Sequence, residues 1–149
     1  MATPFRRLHH ISLTVRDIDR AVRYFESIGI GPWREFPPGA FTGLPLLEVP
    51  NPEAFEGMKY RYADLENIQL QLCEPPELDS PQRRFLEERG EGVNVLGFDF
   101  PWGAAAAAGA ELGREVLQRG RRADGTGFIY FDTLDDAGVV LMARQSMPS

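Results

Sequence analysis

His9 and His10 are the only histidines in the chain, and His10 is the one placed for chemistry. From Leu8 to Val15 the side chains alternate, with His9, Ile11, Leu13 and Val15 in one set and Leu8, His10, Ser12 and Thr14 in the other. The first set is largely apolar. The second brings an imidazole and two hydroxyls to one side of a strand, the composition of a pocket wall backed by a helix. An imidazole titrates near neutrality, at roughly 6.5, so His10 can serve as a general base or acid. A histidine simply hydrogen-bonded within a half-buried wall is the competing reading. Gln69 and Gln71 share a face of the run Ile68 to Cys73, where they can line the same cavity or a solvated surface. Cys73 closes that run with no histidine near it in sequence, so a structural thiol is expected rather than a nucleophile.

Elements that position these groups follow in order. Asp17 is an N-cap; Ile18, Ala21, Val22, Phe25 and Ile28 recur at helical spacing; Gly29 supplies a left-handed stop. Trp33 to Phe36 reads as a short strand broken by Pro37-Pro38-Gly39, Leu44 to Val49 as extended, and Pro50 to Gly57 as a loop. Met58 to Asp64 and Ile68 to Cys73 form a hairpin about Leu65-Glu66-Asn67. Ser80-Pro81 opens a short helix that ends at Gly90.

The opening pattern then returns. Val93 to Phe100 is a strand, and the alanine-rich stretch from Pro101 through Leu117 reads as a helix, weakened by Gly109 and Gly113. Arg119 to Gly127 reads as a charged loop. Phe128 to Thr133 and Gly138 to Arg144 form a second hairpin about Asp135-Asp136. Each half is thus strand, helix and several strands, which predicts an α+β fold of two βαβββ modules pairing into a curved mixed sheet around a cavity. The modules are residues 5–76 and 92–145, joined by a connector helix in 77–91.

Composition narrows the function. The chain has 149 residues, 43% of them hydrophobic, and a net charge of -6, which argues against a nucleic-acid or anionic-membrane surface. Arg6-Arg7, Arg83-Arg84 and Arg121-Arg122 are local basic pairs that are either solvated or anchor a small anion. A single cysteine forbids an intrachain disulfide, and no apolar run suits a signal peptide or a membrane span, so a cytoplasmic protein is expected.

The chain resembles the vicinal oxygen chelate superfamily, which includes glyoxalase I, extradiol dioxygenases, bleomycin-resistance proteins and methylmalonyl-CoA epimerase. Three stretches carry the resemblance: Leu8 to Gly29 with its His-His-Ile opening, Ser80-Pro81 through Gly92, and Gly127 to Thr133. The middle one points to the epimerase-like subgroup. Metal-dependent members hold a divalent ion with one side chain from the first and last strand of each module, and the corresponding positions are His10, Gln71, Asn94 and Met142. Asn94 stands where the pattern has histidine, and Met142 where it has glutamate. Losing the only carboxylate to a soft thioether predicts a site without metal and a protein without a cofactor.

Organic groups are then left to act. His10 and Glu48 are the candidate catalytic residues, the latter in a Glu-Val-Pro context similar to the epimerases' base-bearing loop. Gln71, Asn94, Met142, Tyr60, Tyr130 and Trp102 are candidate substrate-binding residues, with Gln71 and Asn94 donating to a carbonyl or enolate oxygen. The primary reading is a metal-independent enzyme acting on a small carbonyl-containing or polycyclic metabolite by acid–base chemistry, of isomerase, lyase or cyclase type. The alternative is a non-catalytic small-molecule binding protein of the bleomycin-resistance type, and the third is a metal-dependent methylmalonyl-CoA-like epimerase. The resemblance also implies a homodimer.

Overall fold

The structure is a computed structural model that describes residues 5–101, 104 and 112–145. Its strands are β1 (Arg7–Thr14), β2 (Leu46–Glu48), β3 (Lys59–Asp64), β4 (Gln69–Glu74), β5 (Gly92–Phe100), β6 (Val116–Arg121), β7 (Gly127–Phe131) and β8 (Val140–Gln145). The helices among the described residues are α1 (Ile18–Ser27), α2 (Pro52–Glu56), α3 (Pro81–Arg89) and α4 (Leu134–Ala137). The class is α+β with mixed strand pairing, as the alternation and helical spacing predict.

Two compact units divide the chain, one from His10–Thr42 and Asn51–Asn94, the other from Met1–His9, Gly43–Pro50 and Val95–Ser149. In the first unit β1 runs parallel to β4, β4 antiparallel to β3, and β3 meets Arg34 through an antiparallel bridge at Tyr62. The predicted strand at Trp33 to Phe36 is thus reduced to one bridge, since Pro37 and Pro38 have no N–H to extend it. In the second unit β5 runs parallel to β8, β8 antiparallel to β7, and β7 antiparallel to β6. The same order of first, last, third and second strand therefore occurs in both. The second unit adds β2, antiparallel to β6.

Local chemistry explains the elements of the first unit. The Asp17 carboxylate accepts from Arg20 N at 3.0 Å, and Glu74 Oε1 accepts from Ile18 N at 2.9 Å, so two of the free N–H groups at the start of α1 are satisfied. Gly29 has a φ of +89°, the left-handed conformation that stops the helix. The apolar stripe of α1 covers the back of β1 and β4: Val15, Ile18 and Leu72 are buried, with Leu13, Ala21, Val22, Phe25 and Trp33 around them. Burying a side chain such as Ile18 or Leu72 contributes about 2 kcal/mol. In the second unit Phe100, Phe131 and Ala143 form the core with Phe5, Phe98 and Ile129 against them.

Two readings of the sequence are corrected. Pro52–Glu56 is a helix rather than loop: Asn51 accepts from Ala54 N at 3.4 Å and Pro52 occupies the first turn, where a missing N–H costs nothing. Val116 and Leu117 open β6 rather than end a helix, because Gly113, at φ +62°, has already turned the chain and Arg119 to Arg121 pair with β7. Most of the expected alanine-rich helix, with Trp102, lies outside the described residues.

Candidate functional site

Register decides what His10 faces. Partners in a parallel or antiparallel ladder project to the same side of a sheet, and His10 pairs with Gln69, Ser12 with Gln71, and Thr14 with Cys73. Across β3, Gln69 pairs with Asp64, Gln71 with Tyr62, and Cys73 with Tyr60. One face of the first unit therefore carries three rows: His10, Gln69 and Asp64; Ser12, Gln71 and Tyr62; Thr14, Cys73 and Tyr60. The other face is the apolar one beneath α1.

This face is polar, buried along β1 and at Cys73, half-buried at Gln69, Gln71, Tyr60 and Tyr62, and exposed at Asp64. His10 is 2% exposed, Ser12 6% and Thr14 1%. Asn94, itself buried, joins the third row by donating from Nδ2 to Thr14 Oγ1 at 3.2 Å, while its Oδ1 has no hydrogen-bond partner among the described residues. Gln71 Nε2 donates to Gln69 Oε1 at 2.7 Å, and Gln69 Nε2 donates to Asp64 Oδ1 at 3.0 Å. Burial pushes the Cys73 thiol up to about 12, overriding a hydrogen bond from Tyr60 that acts the other way. Cys73 is therefore a structural thiol at neutral pH.

An aromatic cover sits on β3. Phe41 lies 4.9 Å from the Tyr60 ring centroid and Phe36 4.7 Å from that of Tyr62, with Phe36 and Phe41 edge-to-face at 5.2 Å. Phe36, Phe41 and Tyr60, with Phe55 and Met58, line a cleft of about 420 Å³ whose rim carries Lys59 and Arg61. That volume suits a small organic ligand. Arg61 is tied to Glu35 at 3.0 Å, which leaves the rim close to neutral.

The structure thus brings four of the expected site residues, His10, Gln71, Asn94 and Tyr60, to one face of the first unit. In the second unit Met142 and Tyr130 are register partners, and Gln118 pairs with Tyr130. Glu48 is elsewhere in that unit. It pairs with Arg119, which pairs with Ile129, so Glu48 projects to the side opposite Tyr130 and Met142. Its Oε2 accepts from Arg119 Nε at 2.5 Å in an exposed position, and that hydrogen bond holds the carboxyl below its ordinary pKa. A carboxylate so stabilised is a weaker base. Of the arginine pairs, Arg122 is half-buried close to Arg144 and Tyr130, and burial lowers its guanidinium pKa.

Asp64, the role of Gln69, and the Phe36 and Phe41 cover were not anticipated. The hairpin about Leu65-Glu66-Asn67 carried the signal for Asp64, because counting back from the turn sets it opposite Gln69. No such count reaches Phe36 and Phe41, which lie in irregular backbone.

No protein-family model matches the chain, and no curated protein matches it. Among solved structures, a methylmalonyl-CoA epimerase from Mycobacterium tuberculosis aligns over 99% of this chain and 93% of that one, with a TM-score of 0.67 and 20% identity. The chain has the vicinal oxygen chelate fold. A variant methylmalonyl-CoA epimerase from Streptomyces coelicolor, in complex with 2-nitronate-propionyl-CoA, shares this fold at a TM-score of 0.64 and 25% identity over 95% of this chain and 98% of that one. A third epimerase, bound to methylmalonyl-CoA and NH4+, gives 0.63 and 25% over 94% of each.

Around Met142 the residues do not fit the divalent ion of metal-dependent vicinal oxygen chelate enzymes. The β5 residue beside Met142 is Gly97, which has no donor, and the next carboxylate on that side, Asp99, is held by Arg144 at 2.7 Å. Among the described residues no three His, Cys, Asp or Glu side chains cluster to hold a metal. A thioether beside a glycine is a poor match to a hard cation.

Proposed function

We propose that this chain is an epimerase-like enzyme that moves a proton at the carbon next to the carbonyl of a small acyl metabolite, without a metal. Coenzyme A thioesters are the first substrate class to test, because the structural neighbours are epimerases of such an ester. The observation that carries the reading is the buried His10 on a face of hydroxyls and amides.

In this mechanism the His10 imidazole takes the proton from the carbon, and negative charge develops on the carbonyl oxygen. Asn94 stabilises that oxygen. Its partner Thr14 can either give or accept a hydrogen bond, so the amide is free to turn its nitrogen to the substrate. The imidazolium then returns the proton to carbon, giving epimerisation or isomerisation with no net change in protons. The aromatic cleft at Tyr60 holds the bulk of the ligand. Glu48, tied to Arg119, takes no part.

Deuterium uptake at carbon 2 of methylmalonyl-CoA and propionyl-CoA, followed by NMR in D2O with a chelator present, tests the proposal. Uptake abolished by His10→Ala is expected. Uptake only after a divalent ion is added would restore the metal-dependent epimerase. Tight binding without exchange would favour the second reading, a binding protein, to which the aromatic cleft lends support. A homodimer belongs to the proposal too, and sedimentation that finds only monomer would remove it.

A further inference from the structure

The amides of Gln69 and Gln71 have a fixed direction, and Asp64 sets it. Which end of an amide carries oxygen is decided by its hydrogen-bond partners. A carboxylate only accepts, so Gln69 must turn its nitrogen to Asp64, as the 3.0 Å bond records. The Gln69 oxygen then lies at the other end, and Gln71 must turn its nitrogen to that oxygen, at 2.7 Å. What remains of Gln71 is its carbonyl oxygen, which accepts no hydrogen bond among the described residues. Gln71 lies in the row of Ser12, next to that of His10.

We infer that Asp64 is a positioning residue which, through Gln69, holds Gln71 with its carbonyl oxygen outward, so that this face selects ligands that bring a hydroxyl donor to β4. The inference rests on the reading that an acyl group binds at His10. It also reverses the expectation that Gln71 donates to a carbonyl oxygen. With the relay intact the substrate meets an acceptor there, and the donor role falls to Asn94. A 2-hydroxyacyl group satisfies both, its carbonyl toward Asn94 and its hydroxyl toward Gln71.

Two probes of similar size separate the cases. 2-Hydroxypropionyl-CoA offers a donor at carbon 2, and 2-fluoropropionyl-CoA does not. The wild-type protein is expected to bind the hydroxy compound about three- to tenfold more tightly by calorimetry, the range that one net hydrogen bond supplies. In Asp64→Asn the side chain can offer either nitrogen or oxygen, both directions of the relay become accessible, and the preference should fall to near unity. Asp64→Glu, which restores a pure acceptor, should recover it, with melting curves confirming that all three proteins fold. Side-chain amide protons of Gln71, read by NMR without ligand, should exchange slowly in the wild type and in Asp64→Glu, and quickly in Asp64→Asn.

Equal affinity of the wild type for the two probes would overturn the inference while leaving the acyl-CoA reading in place. So would a preference that survives in folded Asp64→Asn. Binding of neither probe would instead sink the acyl-CoA reading, and the amide protons then judge the relay by themselves: slow exchange lost in Asp64→Asn supports it, and fast exchange in the wild type overturns it.

Discussion

Asn94 Nδ2 donates to Thr14 Oγ1 at 3.2 Å across 80 residues of sequence, and both side chains are buried. The other end of the same amide, Oδ1, has no partner among the described residues. A buried acceptor left unsatisfied costs roughly 1–3 kcal/mol, so Asn94 is a poor choice for stability and a good one for a group that waits for a ligand. Asn94→Leu should therefore leave the urea midpoint unchanged or raised, while deuterium exchange into an acyl-CoA falls by about tenfold or more. A variant that unfolds early yet keeps full exchange would make Asn94 a structural residue only.

His10 and Glu48 are the two catalytic candidates of the sequence, and their surroundings separate them. His10→Ala should lower turnover by about 10²-fold or more, the usual weight of a general base. Glu48→Gln should lower it by less than about threefold, because its carboxylate is engaged by Arg119 on the opposite side of its strand from Tyr130 and Met142. Steady-state kinetics on both variants settles the order, and equal losses would return Glu48 to the site.

The Glu48 ion pair has a pH signature of its own. Its carboxyl is lowered from 4.5 by the Arg119 hydrogen bond, so the stability it adds is present above the unfolded-state value and lost as pH falls through the folded one. Wild type should melt slightly above Glu48→Gln at pH 7, and the gap should close as the pH is taken below about 4.5. A gap that widens in acid would contradict the assignment.

The face around His10 was legible because strands have a period of two. The alternation of Leu8 to Val15 and of Ile68 to Cys73 predicts which residues share a side, and one register fixes the rows. What a period cannot supply is contact across long separations. Nothing in the sequence links Asn94 to Thr14, or Arg119 to Glu48, because those meetings depend on strand order. The β6 strand was hidden for a different reason: Gly120 and three arginines in Arg119 to Arg122 carry the composition of a loop, and only pairing with β7 makes them a strand.

Cys73 offers a test of how closed the face is. With its thiol pushed up to about 12, the thiolate fraction at pH 8 is on the order of 10⁻⁴, so iodoacetamide should label the native protein only as fast as it opens. Because the folded-state value is raised from 9.0, the linked stability is complete below about pH 9 and lost as pH climbs toward 12. Wild type should therefore lose stability relative to Cys73→Ala across that alkaline window. Rapid labelling at pH 8 without urea would show that the row of Thr14, Cys73 and Tyr60 is open to solvent.

The β6–β7 hairpin depends on the absence of one methyl group. A Cβ on Gly127 would run into the Gly120 carbonyl oxygen and come within 3.1 Å of Arg121 Cα, and backbone paired in a ladder cannot step aside as a side chain can. Gly127→Ala should cost about 3 kcal/mol, the upper range of overpacking. Gly57→Ala is the control: its φ is an ordinary -82°, and its nearest contact is the Pro76 ring at 3.1 Å. That substitution should cost less than about 1 kcal/mol, since reduced chain entropy in the unfolded state offsets the small repulsion. Tyr130, on β7 itself, is the register partner of Met142 on β8. If Gly127→Ala folds with near-normal stability, the hairpin must be able to spread, and the placement of Tyr130 beside Met142 would then be adjustable rather than set by the ladder.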